Sequence, residues 1–263
     1  MAQIAVLIPT RSDRAEDVRL DHVLHSLLFS TFSDLRVVVR DEGAAGAFDS
    51  RTVRQLADLL ARRGVCVEYH RAAATGGVAV ARQELVAALR GEPYACFVDD
   101  DMCLAPDAIS RLHAALDAHP DRGFVQGQKI EADPSRTYQN DINTLSGSEP
   151  GREEFRVWFG DAALLLVRTS ALAAVRWDVV TRYRMEGLPG EDVALSLLIA
   201  DRHPCYAVPA AVAYHLSPQR SRWTWETPSD LLQLELLRPH VSADTLRRAL
   251  PHLAEQIGCG QIE

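Results

Sequence analysis

Short apolar runs rich in β-branched residues alternate with amphipathic stretches from residue 4 to residue 118, and this alternation narrows the available folds more than any other feature. Residues 4–8 form the first such run, stopped by Pro9, and residues 35–39, 65–69 and 94–98 repeat the pattern. Between them residues 23–29, 53–60 and 80–89 carry apolar side chains at helical spacing, and Pro106 suits the first turn of a helix reaching Ala118. Strand and helix in succession predict an α/β chain with a mainly parallel sheet and right-handed crossovers. In such sheets ligands collect beyond the carboxyl ends of the strands. Two acidic segments fall there, Arg40-Asp41-Glu42-Gly43 and Asp99-Asp100-Asp101.

Past residue 120 the alternation loosens. Residues 131–154 are polar and hold Pro134, Gly147, Pro150 and Gly151, which predicts a long loop or lid. Residues 162–167 form a buried run with a helix start at Thr169 or Ser170. Leu188-Pro189-Gly190 leads into Glu191-Asp192 and an apolar helix over 193–200, and a strand over 206–214 ends at His215. Two amphipathic helices separated by Pro239 are expected over 229–257; their apolar stripes, 231–237 and 246–257, would pack on the core or on a second copy of the chain in a homodimer. With no repeat and no clear linker, 263 residues read as one large domain with a C-terminal helical extension.

Charge and cysteine content exclude several functions. Lys and Arg number 28 against 36 Asp and Glu, a net charge of −8, so a surface built to neutralise nucleic acid or an anionic membrane is not expected. An anionic small ligand would need a metal or helix N-termini to offset that acidity. The five cysteines, Cys66, Cys96, Cys103, Cys205 and Cys259, are scattered and lack CxxC spacing, which fits a reducing cytoplasmic setting. The first nine residues carry no basic region and are too short for a signal peptide, and no stretch approaches the roughly 20 apolar residues of a membrane span.

The sharpest chemical signal is Asp99-Asp100-Asp101 directly after a buried strand. Adjacent carboxylates repel, and a hard cation such as Mg²⁺ or Mn²⁺, sharing its shell with ligand phosphates, relieves them. In extended backbone Asp99 and Asp101 would face one site while Asp100 turns aside. The plain reading is a solvated acidic turn. Thr75-Gly76-Gly77 before a helix looks like a phosphate-cradling turn, or an ordinary one, and matches neither the Walker pattern nor GxGxxG. Glu191-Asp192 suits a helix N-terminus by charge alone. His215 is a metal ligand or a satisfied core histidine, and Gln219-x-x-Arg222-Trp223 offers a cation and a stacking ring.

Taken in order, these segments resemble family-2 glycosyltransferases of the GT-A fold, a Rossmann-like architecture. The resemblance rests on Val6-Leu7-Ile8-Pro9-Thr10, Val37 through Gly43, GVAVAR from Gly77 to Arg82, Cys96 through Asp101 with Pro106 behind, AALLLVRTSAL from Ala162 to Leu172, and Gly190 through Leu195. It implies a domain over 1–228, with a nucleotide-binding half (1–118) and an acceptor-binding half (119–228), and a helical extension over 229–263. It assigns Pro9, Thr10, Arg11, Asp41, Gly77, Arg82, Asp99 and Asp100 to the nucleotide and donor, with Arg222 and Trp223 as further donor contacts. Asp99, Asp101 and His215 become metal ligands for Mn²⁺ or Mg²⁺. Asp192 becomes the catalytic base, with Glu191 beside it satisfying the helix N-terminus or exchanging roles with it. Acceptor recognition is expected around Trp158, Phe159 and Asp161. Two departures from the family pattern stand out: Ala44-Ala45-Gly46-Ala47 separates Gly43 from the next acid, Asp49, and the ARN-like turn reads Ala81-Arg82-Gln83.

The implied activity is transfer of a sugar from a UDP-, GDP- or dTDP-sugar to an acceptor hydroxyl, with inversion. A sugar nucleotidyltransferase is the competing enzyme class, but Thr10-Arg11-Ser12-Asp13 lacks the glycine-rich, lysine-containing loop it would need. A non-catalytic nucleotide-sugar-binding subunit is the third reading.

Overall fold

The strand residues of the first half send alternate side chains into two separate cores, one on each face of a sheet. This computed structural model describes residues 3–12, 19–72, 75–131, 154–173, 175–185, 190–216 and 234–250. The strands are β1 (Ile4–Thr10), β2 (Leu35–Asp41), β3 (Cys66–Arg71), β4 (Tyr94–Val98), β5 (Met102–Leu104), β6 (Phe124–Glu131), β7 (Phe155–Val157), β8 (Leu164–Arg168) and β9 (Cys205–His215). The helices are α1 (Leu20–Leu28), α2 (Arg51–Arg62), α3 (Val78–Ala87), α4 (Ala108–Asp117), the single turn α5 (Thr169–Leu172), α6 (Trp177–Met185), α7 (Glu191–Ala200) and α8 (Ala243–Ala249).

Ile4, Val6 and Ile8 of β1 pack with Val23 and Leu27 of α1, Val53 and Leu60 of α2 and Leu112 of α4. Ala5 and Leu7, one residue out of phase, join Phe97 and the opposite layer of Leu85 from α3, Val180 from α6 and Leu197 from α7. Each large apolar side chain buried in this way contributes roughly 1.5–3 kcal/mol relative to exposure. Strands buried on both faces explain why most of β1 and all of β4 read as continuous apolar runs.

The strand order is β3-β2-β1-β4-β8-β6-β9-β5, with β7 paired to β9. β3, β2, β1 and β4 are mutually parallel. Antiparallel pairing enters with β8, which lies between β4 and β6, and recurs where β9 meets β5 and β7. The β6–β9 ladder is again parallel, and the three longest ladders of the sheet all run parallel. The α/β class and the parallel first half are therefore as the sequence predicts, and the direction changes fall where the alternation loosens.

Two consequences of register build the site. The ends of β1, β2 and β4 lie side by side, so the residues following them share one rim. Pairing of Met102 with His215 across β5 and β9 then carries the end of β9 to the same rim. The C-terminal extension packs on the core: Leu234, Leu237, Val241, Leu246 and Leu250 are buried in the cluster that holds α7. Ser242 caps α8 by accepting from the Thr245 N–H at 3.3 Å, while its own N–H donates to Asp201 at the end of α7 at 2.9 Å. The expected lid lies almost wholly outside the described residues, as do Gln219, Arg222 and Trp223. Among the described residues no helix is long and apolar enough to cross a membrane.

Candidate active site

Each of the three aspartates after β4 has its own partner. Asp99 Oδ1 accepts from Arg82 Nη2 at 2.9 Å. Asp100 Oδ2 accepts the Thr10 hydroxyl proton at the end of β1. Asp101 Oδ2 lies 3.1 Å from His215 Nε2 and 3.7 Å from Arg19 Nη1. Burial raises the Asp99 carboxyl, with Asp101 and Asp161 adding to the rise and Arg82 opposing it. Burial pushes Asp100 up to about 7 against the Thr10 hydrogen bond, and its neighbours Asp101 and Asp99 reinforce the shift. Asp101 goes the other way: burial would raise it, but the hydrogen bond and charge of His215, with Arg19 and Lys129, hold it below the ordinary value.

Among the described residues no three His, Cys, Asp or Glu side chains stand together as a finished metal cage. Asp101 beside His215 is nevertheless a carboxylate–imidazole pair of a kind that Mg²⁺ or Mn²⁺, which bind through one or two carboxylates and complete their shell with water and phosphate, can use.

The rim after β2 is built by two acids. Asp41 is fully buried: its Oδ1 accepts from the Gly43 N–H at 2.8 Å, and its Oδ2 accepts from the Ala47 N–H and the Tyr69 hydroxyl, both at 2.7 Å. The Tyr69 ring stacks on Phe48 with centroids 4.3 Å apart. The carboxylate assigned to the nucleotide is thus committed to shaping its own loop. Glu42 accepts from the Gly76 N–H at 3.1 Å and the Gly77 N–H at 2.7 Å. The turn that looked like a phosphate cradle, Gly77 included, therefore already holds an anion, supplied by the chain.

Gly43 is required by close approach. A Cβ there would press on the backbone N, C and O of Ser12, where the Ser12 carbonyl accepts from the Ala45 N–H at 3.0 Å. Backbone atoms cannot swing aside, so Gly43→Ala is expected to cost about 2 kcal/mol or more and to lower Tm by roughly 4–8 °C. A scanning-calorimetry trace superimposable on wild type would show that the two loops separate freely. Pro9 is buried in β1, and Arg11 lies exposed just beyond it.

Opposite the aspartates stands the first turn of α7. Gly190, with φ 93° and ψ 33°, turns the chain into the helix through a left-handed conformation open mainly to glycine. Glu191, expected to serve the helix N-terminus, instead accepts from Arg82 Nη1. Gly190 at the N-cap offers no side chain, and within the first turn Asp192 Oδ1 accepts from the Val193 N–H at 2.9 Å. Burial, the adjacent Glu191 and Asp161 raise the Asp192 carboxyl to about 7, while Arg82 and Lys129 restrain the rise. Arg82 is 4% exposed, and its Nη groups are spent on Asp99 and Glu191, so it is a strut between carboxylates rather than an open hand for a donor.

Sequence reasoning missed Lys129. It lies in β6, 7% exposed, and is ion-paired with Asp161. Asp161 also accepts from the Ala163 N–H at 2.9 Å, while its own N–H donates to Gln126 Oε1 at 3.0 Å. The pair lowers Asp161: burial would raise it, but the charge and hydrogen bond of Lys129 prevail. No strand is predicted over 124–131, so nothing in the sequence signalled that Lys129 would be buried in one. Trp158 and Phe159 pack against the core, and Arg156 and Arg248 approach the Trp158 ring at 4.3 and 5.5 Å. Trp158 thereby meets the C-terminal extension.

A three-layer α/β chain with acidic side chains gathered at the strand ends has the GT-A architecture of glycosyltransferases. The chain belongs to glycosyl transferase family 2, whose family model matches residues 5–183, more than half its length, and it is a glycosyltransferase. Among solved structures it is similar to the mannosyltransferase PcManGT from Pyrobaculum calidifontis in complex with GDP-Man and Mn²⁺, with 18% identity over 99% of this chain and 76% of that one, at a TM-score of 0.60. It is similar to S. aureus TarS 1-349 in complex with UDP, at 14% identity, 97% and 72% coverage and a TM-score of 0.65. GalNAc-T7 with UDP, GalNAc and Mn²⁺ matches at 11% identity and a TM-score of 0.59, and the chain, 90% covered, spans 48% of that protein. No curated protein matches it in sequence.

Proposed function

We propose that the chain moves a sugar from a nucleoside diphosphate sugar to an acceptor hydroxyl in one inverting displacement that depends on a divalent cation. One observation carries this reading: Asp192, at the first turn of α7 and pushed up to about 7 by burial and neighbouring acids, stands across the Arg82-bridged charge network from the aspartates at the end of β4. Proteins of the same fold were solved with GDP-Man and Mn²⁺ and with UDP, which supports a nucleoside diphosphate in the site and Mn²⁺ as the cation.

In this reading residues 1–118 bind the nucleotide and residues 119–228 the acceptor. Thr10 and Asp100 fix the loop after β1, while Asp41 and Glu42 hold the loops that shape the nucleotide pocket. Asp101 and His215, with Asp99, would hold Mn²⁺ or Mg²⁺, which when bound offsets the charge of the departing diphosphate. Asp192 takes the proton from the acceptor hydroxyl as it attacks, a task suited to a base poised near neutral pH. Asp161, oriented by Lys129, accepts a hydrogen bond from the acceptor. The free thiols of Cys66, Cys96, Cys103 and Cys205 support a cytoplasmic setting.

Product analysis tests the class of reaction. Release of nucleoside diphosphate together with a glycosylated acceptor is expected. Pyrophosphate as the product would make the chain a nucleotidyltransferase, and nucleotide-sugar binding with no turnover over a broad acceptor panel would make it a binding subunit. Asp101→Asn is expected to keep the fold and weaken Mn²⁺-linked nucleotide binding about 10-fold or more, because a neutral amide is a poorer ligand for a hard cation. Isothermal calorimetry that finds unchanged affinity and unchanged metal dependence would remove Asp101 from the site.

A further inference from the structure

We propose that Arg82 is a positioning residue that couples occupancy of the donor site to the first turn of α7, so that nucleotide binding sets the place of Asp192. The inference rests on the donor and base assignments above and goes beyond them by naming the link.

The link is a single buried guanidinium. Nη2 of Arg82 binds Asp99 on the β4 side at 2.9 Å and Nη1 binds Glu191 on the α7 side, from a residue that is itself 4% exposed. Arg82 is held in α3, whose Ala79 and Leu85 are buried in the core, so the side chain pivots on a fixed backbone. A planar guanidinium fixes two carboxylates relative to one another in a way that an ammonium cannot. Its Nε is buried and makes no hydrogen bond, so the group has no third anchor to hold it still if either carboxylate moves. Asp99 is the more exposed end, at 33% of its side chain against 16% for Glu191. A ligand that draws on Asp99 therefore acts on Arg82, and through it on Glu191, whose neighbour in the same turn is Asp192. Gly190 immediately ahead, in its left-handed conformation, is where the backbone can absorb a change in that turn's direction.

Hydrogen exchange reads this coupling without any acceptor and without turnover. UDP and GDP, each with Mn²⁺, serve as probes, with binding followed in parallel by calorimetry. In the wild type the nucleotide that binds is expected to slow exchange of the amides at 191–194 by about 5-fold or more, the range of an ordinary coupling free energy. Glu191→Gln leaves Arg82 on Asp99 but weakens its hold on α7, so it should bind nucleotide yet lose that protection. Arg82→Lys keeps the charge and loses the bridge, and should lose the protection too. Nucleotide bound to wild type with no protection of 191–194 would overturn the coupling, as would equal protection in both variants. If neither nucleotide binds the wild type, the donor-site reading fails and the coupling falls with it.

Discussion

Asp192→Asn is expected to turn over at least about 10²-fold more slowly than wild type and, at pH 8, to melt at a higher temperature. Both effects come from one environment. Burial beside Glu191 and Asp161 raises the Asp192 carboxyl to about 7, so in the free enzyme it is a base only above that pH. With Asp192 as the base, kcat/KM of the wild type should fall as pH drops below about 7, and the residual rate of the Asn variant should lack that limb.

The stability effect follows by linkage. The folded-state value lies above the ordinary carboxylate value of about 3.9, so the folded protein holds this proton more tightly than the unfolded chain does. Stability from the proton is complete below about pH 4 and is lost as pH rises to about 7, above which the native state carries an unfavourable charge. An amide removes that charge. The gain should be on the order of 1–3 kcal/mol at pH 8 and near zero at pH 4, readable as a difference between two melting series. A folded, nucleotide-binding variant that matches the wild-type rate would show that Asp192 is not the base. A rate loss with equal melting at pH 8 would leave the base in place and refute the buried-charge account.

Where periodicity carries the information, the fold was legible. The β4 strand falls at its predicted bounds, Tyr94–Val98, and α5 starts at Thr169, one of the two predicted starts. What escaped notice has a physical cause. β5 is only three residues long, between the aspartates and α4, too short for any period to register. β6 turns Gln126 and Lys129 toward Asp161, and these polar side chains, buried because the site needs them, break the apolar pattern that marks a strand. Periodicity also carries no strand direction, so the antiparallel entry of β8 between β4 and β6 had no signature. In the site, the resemblance implied that Asp101 and His215 would serve one cation, and the structure sets His215 Nε2 3.1 Å from Asp101 Oδ2. The occupations of Asp41 and Glu42 could not be read, because sequence marks an acid near a glycine but not which amide it reaches. Their carboxylates fill hydrogen-bonding positions that the motif alone left open to a ligand.

The same point decides what Arg82 is worth. As a donor contact its loss would weaken nucleotide binding and leave the fold intact; as a buried strut its loss should unfold the protein first. Burial would lower the Arg82 guanidinium, but Glu191, Asp99 and Asp192 together raise it above the ordinary value, so the folded state favours the cation. Arg82→Met supplies similar bulk without charge and leaves those carboxylates facing one another. Breaking a buried ion pair from one side typically costs about 3–5 kcal/mol, because the desolvated partner remains. For a chain of this size that corresponds to roughly 6–20 °C in Tm at pH 8. Removing the cation raises the carboxylates it faced, so protonation relieves the repulsion, and the deficit should shrink as pH falls toward about 5. Arg82→Lys should lie between Met and wild type, since it keeps the charge and loses the two-ended geometry. An Arg82→Met protein that melts with wild type at pH 8 would mean that the carboxylates are solvated well enough to need no cation, and the network would lose its standing as part of the fold.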